Sequence, residues 1–135
     1  MTTNYRTTFI TIAPDCPAST AEVPPAGDNP TVAWCQYALL NERPHELTSD
    51  DVIFAVYADR AAIPEGDRAA ERERFFAKDQ PCLRASPLPK RYGWGIHHDE
   101  EGRVALVAAG TDLYDELAQR PDVTQRPAMR SSRKR

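Results

Sequence analysis

The spacing of hydrophobic and polar positions changes several times along the chain. In residues 5–13, "YRTTFITIA", β-branched and aromatic residues dominate and Phe9 stands between threonines and an isoleucine, which predicts a strand. Residues 14–30 have no period and hold five of the 12 prolines, which predicts a long loop pinned to the body. From Thr31 a helical stripe begins, with Val32, Cys35, Gln36, Leu39 and Leu40 on one side, so a helix is expected over 31–43. Over 47–63, Thr48 or Ser49 can cap a helix, and Asp50 and Asp51 fall in its first turn, where the dipole favours acid. The run "DVIFAVYA" within it is also rich in strand formers; the cap decides for helix. Residues 66–78 predict a short helix closed by Phe75 and Phe76, with Arg and Glu on its wet side.

Three short strands are expected next, at 82–86, 92–98 and 103–109. "DEEG" joins the last two, and Gly102 can take the positive φ that a tight hairpin needs. A final helix over 111–120 is capped at Thr111 and pairs Leu113 with Leu117. Strands and helices are segregated along the chain, which predicts an α+β fold. Its small, mainly antiparallel sheet is expected to contain the N-terminal strand and three strands within 82–109, packed against about four helices.

A length of 135 residues suits one domain with one core. We assign that domain to 1–123, including the Pro-rich loop 14–30, and a short basic tail to 124–135. The charge supports this division: all 20 acidic residues lie in 1–123, which carries a net −8, whereas the tail carries +5. An acidic body argues against nucleic acid as a partner. The tail is expected to lie on that body, with Met129 as its apolar anchor. No run of about 18 apolar residues occurs, so no membrane span is expected. The start is not expected to be a signal peptide, since it lacks an apolar core of the needed length. Cys16, Cys35 and Cys82 are odd in number and widely spaced, as in a reduced cytoplasmic protein.

The densest chemistry lies in "PCLRASPLPKRYGWGIHH", where no acid occurs. Strand alternation would put Cys82, Arg84 and Ser86 on one face, and Gly93, Gly95 and His97 on the corresponding face of the next strand. With Lys90 and Arg91 from the intervening loop, these residues predict a shallow basic concavity for a small anion or an acidic group on a partner. The ligand-binding set is then Arg84, Ser86, Lys90, Arg91, Gly93, Gly95 and His97. Arginine suits such a ligand because its paired N–H donors match carboxylate and phosphate. Glycine within a strand marks close approach of something else. The competing reading is structural: Arg84 pairs with a helix carboxylate, Trp94 is core, and the glycines admit a helix. Two further functions stand beside anion binding. One is an enzyme acting on an anionic metabolite with Cys82 or His97; the other is a protein-interaction domain without a small ligand. His45 reads as a surface histidine. His97, His98 and Asp99 make a poor metal set, because neighbouring strand residues point to opposite faces. No cofactor is expected, since there is no Gly-rich phosphate loop, G-x-S-x-G or H-E-x-x-H.

"NYRTTFITIAPDCP", "TSDDVIF", "QPCLRASPLPKRYGWGIH" and the closing "AMRSSRKR" together resemble a family of small bacterial proteins, domain-of-unknown-function family 6157. The resemblance covers nearly the whole chain. It implies one compact bacterial domain and no particular activity, and its closing basic motif implies that Ala128 to Arg135 are docked.

Overall fold

A computed structural model describes residues 1–131. Among these residues the fold is α+β, with five α-helices and one four-stranded, mostly antiparallel sheet. Strand β1 (Thr8–Thr11) is followed by α1 (Val32–Glu42), α2 (Ser49–Arg60), α3 (Arg68–Phe76) and α4 (Pro87–Arg91). Then come β2 (Trp94–His98), β3 (Val104–Ala108), α5 (Asp112–Gln119) and β4 (Thr124–Pro127). The strand order is β3-β2-β1-β4, antiparallel except where β4 runs parallel to β1.

The helix starts follow from their caps. Thr31 accepts the Trp34 amide at the head of α1, and Thr111 accepts the Tyr114 amide at the head of α5. Thr48 caps α2 in a reciprocal box: its hydroxyl accepts the Asp51 amide while the Asp51 carboxylate accepts the Thr48 amide. Within that box the buried Asp50 carboxylate takes Thr2 Oγ1–H, the Thr3 amide and Thr3 Oγ1–H, which ties the N-terminal segment to α2.

Three expectations are corrected. Residues 82–86 are not a strand: Leu83–Ala85 form a 3-10 turn, which runs into α4. The cause is "SPLP". Ser86 is extended, as a residue before proline must be, its hydroxyl accepts the Leu88 amide, and Pro87 takes the first helical position. The fourth strand comes from 124–127, inside the segment expected to be a tail, so the sheet extends past residue 123. Beyond β4 the chain stays docked. The Ala128 amide bonds to Thr11 O, the Met129 amide to Arg84 O, and the Ser131 amide to the Asp15 carboxylate. Ala128 is the buried anchor, at 3 % exposure, and Met129 is 52 % exposed. Residues 132–135 of the expected tail lie outside the described residues.

The sheet is covered on both faces. One face gives Ile10, Ile96 and Val104 to the larger core, with Leu40, Val52, Leu83 and Leu88 from the helices. The other gives Phe9 and Val107 to a smaller core closed by α5 through Leu117, with Val123 beside it. The Pro-rich loop is pinned, as expected. The Ala13 amide reaches Pro89 O, that of Ala21 reaches Ala109 O, and that of Glu22 reaches Tyr92 O.

Candidate basic cleft and histidine pair

Alternation along β2 follows the sequence, with Ile96 and His98 toward the larger core and Gly95 and His97 on the other side. That other side is not open, because α5 lies across it. A Cβ on Gly95 would stand 2.6 Å from the Phe9 ring and 2.8 Å from the Tyr114 ring. Gly93 has φ +76, and a Cβ there would meet Thr20 O at 2.7 Å. Both glycines therefore make room for the protein itself.

The remaining members of the expected concavity are divided among four places. Ser86 is buried, donating to Gln36 Oε1 at 2.5 Å while capping α4. Arg84 donates its Nε–H to the carbonyl of Pro127 at 2.8 Å, so it meets a strand carbonyl and not a helix carboxylate. Trp94 is half-buried, packs with Tyr37 of α1 against the larger core as expected, and donates its indole N–H to Glu22 O in the loop.

Lys90 and Arg91 stay together. They line a concavity of about 340 Å³ with Tyr92, Ala85, Pro87 and the first residues of α1, Thr31, Val32 and Ala33. The first turn of α1 holds no acidic residue. Thr31 satisfies the Trp34 amide, which leaves the Val32 and Ala33 amides without an intrahelical acceptor. The positive end of α1 thus adds to the two cationic side chains, an arrangement suited to an anion. The seven ion pairs among the described residues involve neither Lys90 nor Arg91. Sequence reasoning missed the α1 contribution. Its signal was a threonine cap followed by no acid, in contrast to α2.

His97 is elsewhere, paired with His45. Their Nδ1 and Nε2 atoms are 2.9 Å apart, with the rings nearly perpendicular. His97 lines a concavity of about 200 Å³ with Thr7, Asp99, Glu100, Arg120, Asp122 and Val123. Thr7 (φ 46) and His45 (φ 56) both adopt left-handed backbone, which side-chain-bearing residues seldom take. Burial, and then the charge of His45, holds the His97 imidazole below its ordinary value. Burial opposes ionisation of Asp99, but the amides of Arg103 and Glu101 outweigh it, and its carboxyl titrates below the usual range.

Cys82 is not near this pair. Its Sγ is 3.2 Å from the Tyr5 hydroxyl, and Tyr5 packs against the larger core, edge-on to the ring of His98. Arg126 from β4 stands over the same tyrosine ring. Cys82 and His97 therefore do not form a nucleophile–base pair. Among the described residues, no group of three or more His, Cys, Asp or Glu side chains is placed to hold a metal ion.

Comparison with curated proteins finds no match, and comparison with solved structures finds none either. One family model matches residues 1–134, and the chain accordingly belongs to the family described as "Family of unknown function (DUF6157)".

Proposed function

We propose that this chain is a cytoplasmic binding module that takes a small anion, or an acidic group on a larger partner, between α1 and α4. One observation carries the reading. Lys90 and Arg91 share a concavity with the acid-free N-terminus of α1, and neither is neutralised by an ion pair among the described residues. The three free cysteines agree with a reducing compartment. The ligand set is then Lys90, Arg91, the Thr31 hydroxyl and the amides of Val32 and Ala33. A ligand that binds only the folded state raises stability by roughly 2.7 kcal/mol at a hundredfold excess over its Kd. Melting curves with phosphate, sulfate, citrate and nucleotides at matched ionic strength test this directly. Lys90→Ala and Arg91→Ala should abolish any upward shift in Tm, while Arg103→Ala should leave it. If no anion shifts the wild-type protein, the reading is lost.

A second reading, a protein-interaction domain, is favoured by a different surface. Helix α3 buries none of its residues, and a concavity of about 760 Å³ beside it is lined by Tyr57, Glu71, Arg74, Phe75, Ala77, Lys78 and Gln80. Its aromatic floor is the stacked pair Tyr57–Phe75, 4.6 Å between ring centroids. Loss of a partner on Tyr57→Ser and Phe75→Ser, without loss of anion response, would select this reading.

A further inference from the structure

We propose that His45 and His97 form a proton-operated clasp, which fastens the connection between α1 and α2 onto β2 while at least one imidazole is neutral and releases it when both are protonated. The geometry carries the inference. At 2.9 Å the two ring nitrogens are at hydrogen-bond distance. A bond between two imidazoles needs an N–H on one ring and a lone pair on the other. A neutral pair has both, and so has a pair with one added proton. With a second added proton no lone pair remains between the rings, and two cations face each other.

The clasp closes on a segment that is held in few other ways. His45 sits at φ 56, and its amide bonds to Val104 O at 2.9 Å. Two residues later Leu47 O accepts the Val104 amide at 2.8 Å. The His45 ring is exposed and reaches across to β2, whereas His97 is half-buried. Release of the ring contact leaves the left-handed turn to those two bonds to Val104, a long bond from the Glu46 amide to Arg43 O and the exposed Arg43–Glu46 pair.

Charges face the pair from each neighbouring element. Asp99 and Glu100 come from the β2–β3 turn, and Arg120 and Asp122 from the connection between α5 and β4. Arg43 and Glu46 flank His45 and pair with each other at 3.5 Å, and Arg103 at the head of β3 pairs with Glu101. Asp99 favours a charged His97, while burial, His45 and Arg120 oppose it. Asp99 is thus the second partner of the switch: while either ring is neutral His97 holds His45, and once both are charged the His97 ring is left to the carboxylate. Because burial and His45 outweigh Asp99, the clasp is closed at neutral pH and opens as pH falls.

Hydrogen exchange of the amides in 43–47, corrected for intrinsic rate, reads the clasp. Between pH 7.5 and pH 5 the wild-type protection should fall roughly tenfold, as one unit of proton linkage implies. In His45→Asn, which keeps a residue tolerant of left-handed backbone, protection should already be low and should not vary with pH. His97→Asn should behave the same way. The buried His98 is common to all three proteins, so its own response to acid cancels in the comparison. Ring-nitrogen shifts of the unmodified protein give a readout that depends on no variant: His97 should take up its proton below the range of a free imidazole, over the same pH interval as the loss of protection. Wild-type protection that is equal at both pH values, an equal fall in wild type and both variants, or a His97 that titrates as a free imidazole would each overturn the proposal.

Discussion

Arg84 donates its Nε–H to the carbonyl oxygen of Pro127 at 2.8 Å, so a side chain from the turn before α4 caps the last residue of the edge strand β4. Pro127 has no N–H to offer a neighbouring strand, and its carbonyl is occupied. Both features blunt an exposed sheet edge. The basic side chain that the sequence suggested for a ligand instead protects the sheet.

Arg84→Ala should therefore cost about 1 kcal/mol, the usual worth of one such hydrogen bond. Removal of residues 124–135 should cost far more, since it strips β1 of its parallel partner and removes the buried Ala128. Urea unfolding of the two proteins checks the order. A truncated chain as stable as the parent would contradict the strand.

Gly95→Ala should destabilise the fold by about 1–3 kcal/mol, the range for overpacking a tight core. The added methyl would stand 2.6 Å from the Phe9 ring, and moving Tyr114 away would disturb the bond from the Ile12 amide to its hydroxyl. Thermal denaturation measures the loss. Tolerance of alanine with unchanged Tm would show that α5 does not press on β2.

Stability should fall in acid because of His98. Burial pushes its imidazole down to about 4, from an ordinary 6.5. Between those values the unfolded chain binds a proton that the folded chain does not, so the full stability is present above about pH 6.5 and is lost as pH falls toward 4. The loss is of the order of 3 kcal/mol, at 1.36 kcal/mol per unit. Among the described residues His98 Nε2 has no hydrogen-bond partner and Nδ1 makes only a long contact to Ile96 O at 3.3 Å, so His98→Leu should cost about 1 kcal/mol at pH 7. It should also flatten the profile between pH 6.5 and 4, as denaturant midpoints over that range will show. An equally steep profile in the variant would place the acid response elsewhere.

What the sequence made legible was local. Thr48, Asp50 and Asp51 announce α2 despite the strand-forming run behind them, because a reciprocal cap is a contact between near neighbours. Gly102, at φ 81, announces the turn between β2 and β3 for the same reason. "CLRAS" misled because five residues carry too little period to separate a strand from a turn, and Ser86-Pro87 overrode it. The strand at 124–127 had no apolar alternation to show, since all four of its residues are exposed and it is held through its backbone by β1. The site was legible only where its parts are adjacent: Lys90 and Arg91 held together, whereas Arg84 sits in a turn that reaches β4 and His97 on a strand face that meets His45. The pairing of His45 with His97 joins positions far apart in sequence and left no trace in either neighbourhood.

The parallel pairing of β4 with β1 also bears on how the molecule is made. Strand β1 is synthesised well before β4 and is an interior strand of the sheet, yet β4 is one of its two neighbours. Until translation reaches residues 124–127, the backbone donors and acceptors on that side of Thr8–Thr11 have no strand to meet, beside the fully buried Phe9 and Ile10. A nascent or prematurely released chain therefore displays an open interior edge, the form of β-structure most prone to pair with another chain. Completion of this sheet waits for β4, and the interval before it is when the protein is most exposed to aggregation.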